Sequence, residues 1–208
     1  KGIKSEKEKF AGGDFTTTVE VYIPYAGRGI QACTSHGLGQ NFAKMFNITF
    51  EDETGSKSMP YQNSWGYTTR SIGIAIMVHG DDKGLVLPPR VAQVQAVFVP
   101  IVMSDVDVAE LDAAIDAASA KLSAAGLRVA VDRSTTHNSG FKRAHHEQRG
   151  VPLRFEVGPR DLAKKSVLMC VRDTGEKRSV PVDELVATAE RELAAMHQRL
   201  FDAPTKQR

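Results

Sequence analysis

The chain has 208 residues, enough for one large domain or two modest ones. Lysines and arginines number 27 against 25 aspartates and glutamates, a formal charge of +2, so any claim on a nucleic acid must rest on local placement of charge. No segment has the apolar length of a membrane span, and SIGIAIMVHG (71–80) stops at Asp81, Asp82 and Lys83.

The two cysteines, Cys33 and Cys170, lie far apart without metal spacing and read as reduced, isolated thiols of an intracellular protein. The opening KGIKSEKEKFAGG has no apolar core of a signal peptide and reads as a solvated loop. It begins without methionine, which suggests a cut or truncated piece.

TTTVEVYI (16–23) puts Val19, Val21 and Ile23 on one face and predicts a half-buried strand. GRGIQACTSH (27–36) reads as a second strand, and LGQNFAKMF as a short helix with Leu38, Phe42 and Met45 on one side. NITFED (47–52) returns to a strand, ETGSKSMP (53–60) is a loop, and YQNSWGYTTR (61–70) is extended. SIGIAIMVHG is a mostly apolar helix or strand, its β-branched content leaving both open with helix preferred, and KGLVLPPRVAQVQ (83–95) reads as a strand stopped by two prolines.

Near residue 94 the grammar changes. QAVFVPIV (95–102) is a nearly continuous apolar run, as in a strand covered on both faces. A helix from about Val106 to Ala125 carries the stripe Leu111, Ile115, Ala118, Leu122 and Ala125, and Gly126 ends it. LRVAVD (127–132) is a strand, 138–149 a basic helix, VPLRFEV (151–157) a strand and PRDLAKK a helical turn. SVLMCVRDTGEKRSVPV (166–182) predicts a hairpin about Asp173-Thr174-Gly175. The last helix aligns Val182, Leu185, Ala189, Leu193, Met196 and Leu200. These elements indicate a small α/β domain over 94–208. Residues 1–93 supply parts of an antiparallel sheet with too little chain around them to bury both faces, so their neighbours are expected upstream.

Several polar residues exceed what folding needs. Thr34, Ser35 and His36, after Gln31, are expected at the strand end beside the helix start, either facing a ligand or serving as an ordinary N-cap. Alternation separates Ile30 and Ala32 from Gln31 and Cys33. Gln62, Asn63, Ser64 and the single tryptophan, Trp65, form a second group, a pocket wall or core. Arg70 and Arg90 come third, and Pro88-Pro89 would fix the approach of Arg90 to a phosphate. Asp81-Asp82 reads as a solvated turn rather than a metal site, and His79 as a structural histidine. No metal ligand set is assigned.

HNSGFKRAHHEQRG (137–150) gathers Lys142, Arg143, His145, His146 and Arg149. FEVGPRDLAKK adds Glu156, Arg160, Asp161, Lys164 and Lys165. Basic groups beside carboxylates suit phosphates and unpaired base edges; a solvated charged face is the alternative.

GRGIQACTSHGLGQNFAKMF, YQNSWGYTTRSIGIAIMVHGDDKGLVLPPRVAQVQ and GVPLRFEVGPRDL, together with KSEKEKFAGGDFTTTVE, resemble blocks of the prolyl-tRNA synthetases of eukaryotes, archaea and some bacteria, along essentially the full length. The resemblance implies an α+β fragment of the class II antiparallel catalytic sheet (1–93), followed by an α/β anticodon-binding domain with a mixed sheet (94–208). It implies ATP and Mg²⁺, L-proline, tRNA(Pro) and a cytoplasmic homodimer, with the Mg²⁺ ligands outside this chain. Gln31 and Thr34 would contact ATP, His36, Ser64 and Trp65 would line the proline side, and Arg90 would grip ATP as the catalytic arginine. Lys142, Arg143, His146, Glu156, Arg160 and Asp161 would meet tRNA. The first two class II motifs are absent, so the chain alone is expected to be inactive without its upstream half, covalently attached or cleaved. SGFKRAHHEQRG departs from the family's aromatic-rich PGWKFNYWELKG pattern, which leaves Glu156, Arg160 and Asp161 as the better candidates. A non-catalytic tRNA-binding or regulatory protein built from the same domains, or a protein-interaction scaffold, is the competing reading.

Overall fold

A computed structural model describes residues 1–103 and 107–203. The expected helix start at Val106 and the end of the FDAPTKQR tail lie outside these residues. The chain forms two compact units, Lys1–Val78 and His79–Arg208.

The first unit is built on a four-stranded antiparallel sheet. Its strands are β1 (Gly2–Ile3), β2 (Phe15–Ile23), β3 (Arg28–Gly39) and β6 (Gln62–Tyr67), in the order β1-β2-β3-β6. Between β3 and β6 come α1 (Asn41–Phe46) and a hairpin of β4 (Phe50–Glu51) with β5 (Lys57–Ser58). Helix α2 (Arg70–His79) follows, the preferred of the two readings that its apolar run leaves open. The buried positions at the start of β2 are Thr16 and Thr18, whereas Val19 is exposed and only Ile23 of the expected apolar face is fully buried. The register with β3 shifts between Val19 and Glu20, the extra residue being Ala32 of β3.

Strand β3 is longer than expected, so Thr34, Ser35 and His36 lie inside it and not at a helix mouth. Their peptide groups are paired on both sides, with β2 and with β6, which leaves no open N–H cluster for an anion. Gln40 occupies the N-cap of α1, so none of the three caps the helix. Met45 and Phe46 of α1 are exposed, along with Phe15, Phe50, Trp65 and Tyr67. Such apolar exposure is the counterpart of a sheet with too few layers around it.

The second unit carries a mixed five-stranded sheet in the order β11-β10-β9-β7-β8. Its strands are β7 (Ala96–Pro100), β8 (Val129–Val131), β9 (Leu153–Val157), β10 (Ser166–Val171) and β11 (Lys177–Pro181). β7 is parallel to β8 and β9, while β9, β10 and β11 run antiparallel. All five residues of β7 are buried, as a central strand covered on both faces requires. Helix α3 (Val108–Ala124) buries Leu111, Ile115, Ala118 and Leu122 as its spacing predicts; Asp107 caps it by accepting from the Ala109 and Glu110 amides. Ala125 is the exposed C-cap instead of a core residue. Phe98 and Phe155 stack in the core with centroids 5.1 Å apart. Helix α6 (Leu185–Asp202) closes the unit through Leu185, Ala189, Leu193, Met196 and Leu200.

The strand expected over 83–95 is absent. Pro88 and Pro89 have no amide hydrogen. The Leu85 and Leu87 amides donate to Gln148 and Gly150 at the end of α4 (Ser139–Gln148), and the Arg128 guanidinium takes the carbonyls of Pro89, Arg90 and Ala92. The segment thus docks on the second unit as a strap without a ladder. The α/β pattern itself begins at residue 95, so the strap is the stretch where pattern and packing assign the chain differently.

Candidate functional site

On the first unit, the central sheet positions a polar face. Residues opposite one another in an antiparallel pair point the same way. Thr16 pairs with His36, Thr18 with Thr34, His36 with Ser64 and Thr34 with Gly66, so these six share a face. Gln31 joins it only because of a bulge at Ala32: Val19 opposes Cys33, but the next residue, Glu20, opposes Gln31. Simple alternation would have put Gln31 on the reverse side.

His36 is held at both ring nitrogens. Its Nδ1 lies 2.8 Å from Thr16 Oγ1 and its Nε2 lies 3.1 Å from Thr34 Oγ1. The Phe10 amide donates to Thr16 Oγ1 at 3.0 Å. The Phe10, Thr16 and His36 hydrogens are all used if Thr16 donates to Nδ1 and Nε2–H donates to Thr34. The Thr34 hydroxyl hydrogen then remains to be given to a ligand oxygen. Phe10 packs beside the imidazole at 4.8 Å, and Lys4 Nζ donates to Gln31 Oε1 at 2.7 Å. Thr16, Thr18 and Phe10 were not foreseen as parts of this site; the only sequence signal was a threonine run where a core strand would carry valine.

Trp65 does not stand with His36 and Ser64. It pairs with Ser35 and therefore projects from the reverse face, where it is 76% exposed. Adjacent strand residues alternate, so Ser64 and Trp65 cannot line one pocket from one side of this sheet. Nor is Trp65 a core residue of the described chain. Arg70 opens α2 two residues after Thr68, and its exposed guanidinium donates to no described residue. Arg90 is also exposed but lies in the strap of the second unit.

In the second unit the basic cluster is largely turned inward. Lys142 is buried and donates to the Asp132 carbonyl at 2.9 Å; His146 Nε2 meets Asp132 Oδ2 at 2.8 Å. Burial lowers the affinity of His146 for a proton more than Asp132 raises it. Burial pushes Asp132 up, but the His146 hydrogen bond, the Ser134 amide and Lys142 together hold it below the ordinary carboxylate value. Glu156 is buried and takes Arg143 at 2.8 Å and Arg154 at 3.1 Å. Lys142, His146 and Glu156, expected to meet tRNA, are thus engaged with partners inside the unit. Arg143 is partly exposed while engaged with Glu156, and Asp161 accepts the Gly158 amide at 3.0 Å at the start of α5 (Pro159–Ala163). Arg160, exposed and unpaired among the described residues, keeps its guanidinium available.

Asp81, expected as a solvated turn, closes the β-bridge with Gly84 and also receives both Arg172 nitrogens, at 2.6 and 2.7 Å. Those bonds from Arg172 hold its carboxyl down to about 2. His79 is pushed below the usual imidazole value by burial, which fits a structural histidine. Among the described residues no helix is long and apolar enough to cross a membrane, and no group of three His, Cys, Asp or Glu side chains is placed to hold a metal ion.

Residues 95–192 match the family of anticodon binding domains. The whole chain is 48% identical to the cytoplasmic proline–tRNA ligase of Arabidopsis thaliana and covers 39% of it. It is 47% identical to the proline–tRNA ligase of Encephalitozoon cuniculi and covers 43% of that protein, again along the full chain. The crystal structure of a prolyl-tRNA synthetase from Cryptosporidium parvum complexed with halofuginone and AMPPNP superposes with a TM-score of 0.92 at 48% identity, over 99% of this chain and 42% of that one. The same parasite enzyme complexed with L-proline and AMP matches equally well. The chain spans about two fifths of the length of these relatives. With an antiparallel sheet fragment in one unit and an anticodon-binding domain in the other, the chain belongs to the prolyl-tRNA synthetase family, as a C-terminal part of such a protein.

Proposed function

We propose that this chain, joined to an upstream half, completes a proline–tRNA ligase. In that reaction a proline carboxylate oxygen bonds to the α-phosphorus of ATP and pyrophosphate leaves. A hydroxyl at the 3′ end of tRNA(Pro) then bonds to the prolyl carbonyl carbon and AMP leaves. Mg²⁺ would arrive with ATP, its ligands lying outside this chain. The relatives support the reading: they are named proline–tRNA ligases, and the parasite enzyme was crystallised with AMPPNP and with L-proline and AMP.

The observation that carries it is the lock on His36 by Thr16 and Thr34. A histidine engaged at both nitrogens is not free to act as a mobile base; it is a rigid polar wall. Thr34 and Gln31 share that face, and their oxygen and amide groups can orient a nucleotide, while His36 and Ser64 bound the proline side. Catalysis on such a face works by positioning reactants and stabilising developing charge, without a covalent nucleophile. The ATP-gripping arginine is Arg90 on the resemblance. Arg70, like Arg28, has no side-chain partner among the described residues of the sheet's own unit and it opens the helix that follows β6, so Arg70 and Arg90 are both tested.

The anticodon-binding unit would receive tRNA(Pro), with Arg160 as its exposed cation and Arg143 and Asp161 beside it. A cytoplasmic homodimer is the assembly proposed for the whole enzyme. Proline-dependent ATP–pyrophosphate exchange by the joined halves, and none by this chain alone, is the expected result. Normal tRNA binding without any exchange would overturn the ligase and leave a non-catalytic tRNA-binding protein.

A further inference from the structure

The second unit holds a cavity of about 340 Å³ away from helix α4, between α3, the short α5 and the start of β10. Its floor is core: Ala118, Val157 and Val167 are each no more than 2% exposed. The space exists because α3 carries alanine at 114 and 117, three residues apart on the flank beside its buried stripe, where a longer side chain would fill it. Leu162 of α5 and Val182 after β11 close the other side and pack against the same core.

The far wall is fixed. Lys165 turns the chain from α5 into β10 at φ +48, a left-handed conformation that is strained for any residue with a side chain. Its amide donates to the Leu162 carbonyl and its carbonyl accepts from the Val182 amide, each at 3.0 Å, so the corner is held from both sides. The cavity is therefore built into the fold, and its size is that of a small-molecule site. Its rim is unevenly charged: Glu110, Asp161 and Asp183 stand around it with a single ammonium, Lys165. Asp183 meets Lys121 only at 4.0 Å, Asp161 accepts the Gly158 amide at 3.0 Å, and the Glu110 carboxylate has no hydrogen bond or ion pair with a described side chain. Such a rim repels phosphates and carboxylates. What fits is an apolar body with one positive charge at its edge. The body leaves water for the alanine and valine floor, while the cation stays at the wet rim beside the carboxylates.

We propose that this cavity binds a small primary amine with an apolar body, its ring or branched chain between Ala114 and Leu162 and its ammonium at Glu110 and the neighbouring rim carboxylates. The site is independent of the ligase reading, since it needs neither a nucleotide nor RNA.

The test titrates the full 208-residue chain, labelled for amide NMR, with probes of one shape and different charge: 2-phenylethylamine, 2-phenylethanol and phenylacetate. With the amine, saturable shifts should gather at the amides of Ala114, Ala117, Leu162 and Val182. The amine should bind about three- to fivefold more tightly than the alcohol, the upper range for one ion pair at an exposed rim, and phenylacetate more weakly than the alcohol. Ala114→Leu fills the space with a good helix former and should abolish the shifts. Glu110→Gln keeps the cavity and should bring the amine down to the affinity of the alcohol; it decides the matter should Ala114→Leu unfold. Equal affinity for the three probes overturns the amine site and leaves an apolar crevice. Unchanged amine binding in folded Ala114→Leu or in Glu110→Gln, or no saturable shift with any probe, overturns it as well. So does broadening of the same amides when the chain alone is concentrated, which would give the cavity to a second copy.

Discussion

Thr34 lies directly across the sheet from Gly66, and a methyl group placed on the Gly66 α-carbon would stand 2.9 Å from Thr34 Oγ1. Threonine is β-branched and its hydroxyl is tied to His36, so it cannot yield by swinging a long flexible end. Gly66→Ala is therefore expected to displace the Thr34 hydroxyl and loosen His36. In the joined enzyme, proline-dependent exchange should fall by about tenfold or more, as misplacement of positioning groups does. The melting of the second unit should not change. Wild-type exchange by the variant would remove Thr34 from the working face.

Arg70→Ala and Arg90→Ala separate the two candidate arginines. Loss of the ATP-gripping guanidinium should lower adenylate formation by roughly 10²-fold or more, in the range for removal of one charge-stabilising group. Exchange rates of the two variants, read alongside thermal melting, name which arginine reaches the nucleotide. Full activity in Arg90→Ala would exclude it.

The Asp81–Arg172 pair predicts an acid-sensitive tether. Asp81 has a folded-state value below its unfolded one, so its contribution is complete above about pH 4 and is lost as pH falls through about 2. The Arg172 side chain is 3% exposed, so Asp81→Asn leaves a buried guanidinium short of its carboxylate. Because Asp81 itself is partly in water, the expected cost is moderated to about 1–3 kcal/mol. Urea unfolding at neutral pH and near pH 3 would show it, the difference between wild type and variant shrinking in acid.

His146 and Asp132 give a second pH signature. A histidine whose folded value is depressed is protonated more readily in the unfolded chain, so stability falls as pH drops from about 6.5 towards that lower value. Asp132→Asn removes the group that pulls His146 upward and should depress its titration further. Histidine NMR titration reads this directly; an upward move of His146 in Asp132→Asn would contradict the assigned pairing.

Gly150 adopts φ +71, and a Cβ there would lie 2.6 Å from the Leu85 carbonyl oxygen. Gly150→Ala combines left-handed strain with a backbone collision that neither side can relieve. A loss of about 2–4 kcal/mol in unfolding free energy is expected. An unchanged midpoint would mean that the strap is not seated on the end of α4.

Where periodicity and burial agree, the sequence was legible. The buried run of β7, the stripe of α3 and the hairpin about Asp173-Thr174-Gly175 follow from local pattern because the core they enter lies within the same unit. The candidate site was legible only in part. Thr34 and His36 stand out as surplus polar residues, but the bulge at Ala32 that brings Gln31 beside them leaves no mark in hydropathy. Ser64 and Trp65 are neighbours in sequence, but alternation along β6 sends them to opposite faces of the sheet, which hydropathy does not show. Lys142 and Glu156 looked like solvent-facing charges, since a list of residues does not show that Asp132, Arg143 and Arg154 will neutralise them.

The strap alters how the anticodon-binding unit could be isolated. A piece beginning where the domain pattern starts, at residue 95, would discard Asp81 and the carbonyls gripped by Arg128. Two guanidiniums would be stranded, one of them deep in the protein, and Val86 would be stripped from Met196 and Leu200. Autonomy of this half thus depends on the sixteen residues 79–94, borrowed from the stretch that pattern alone would award to its neighbour.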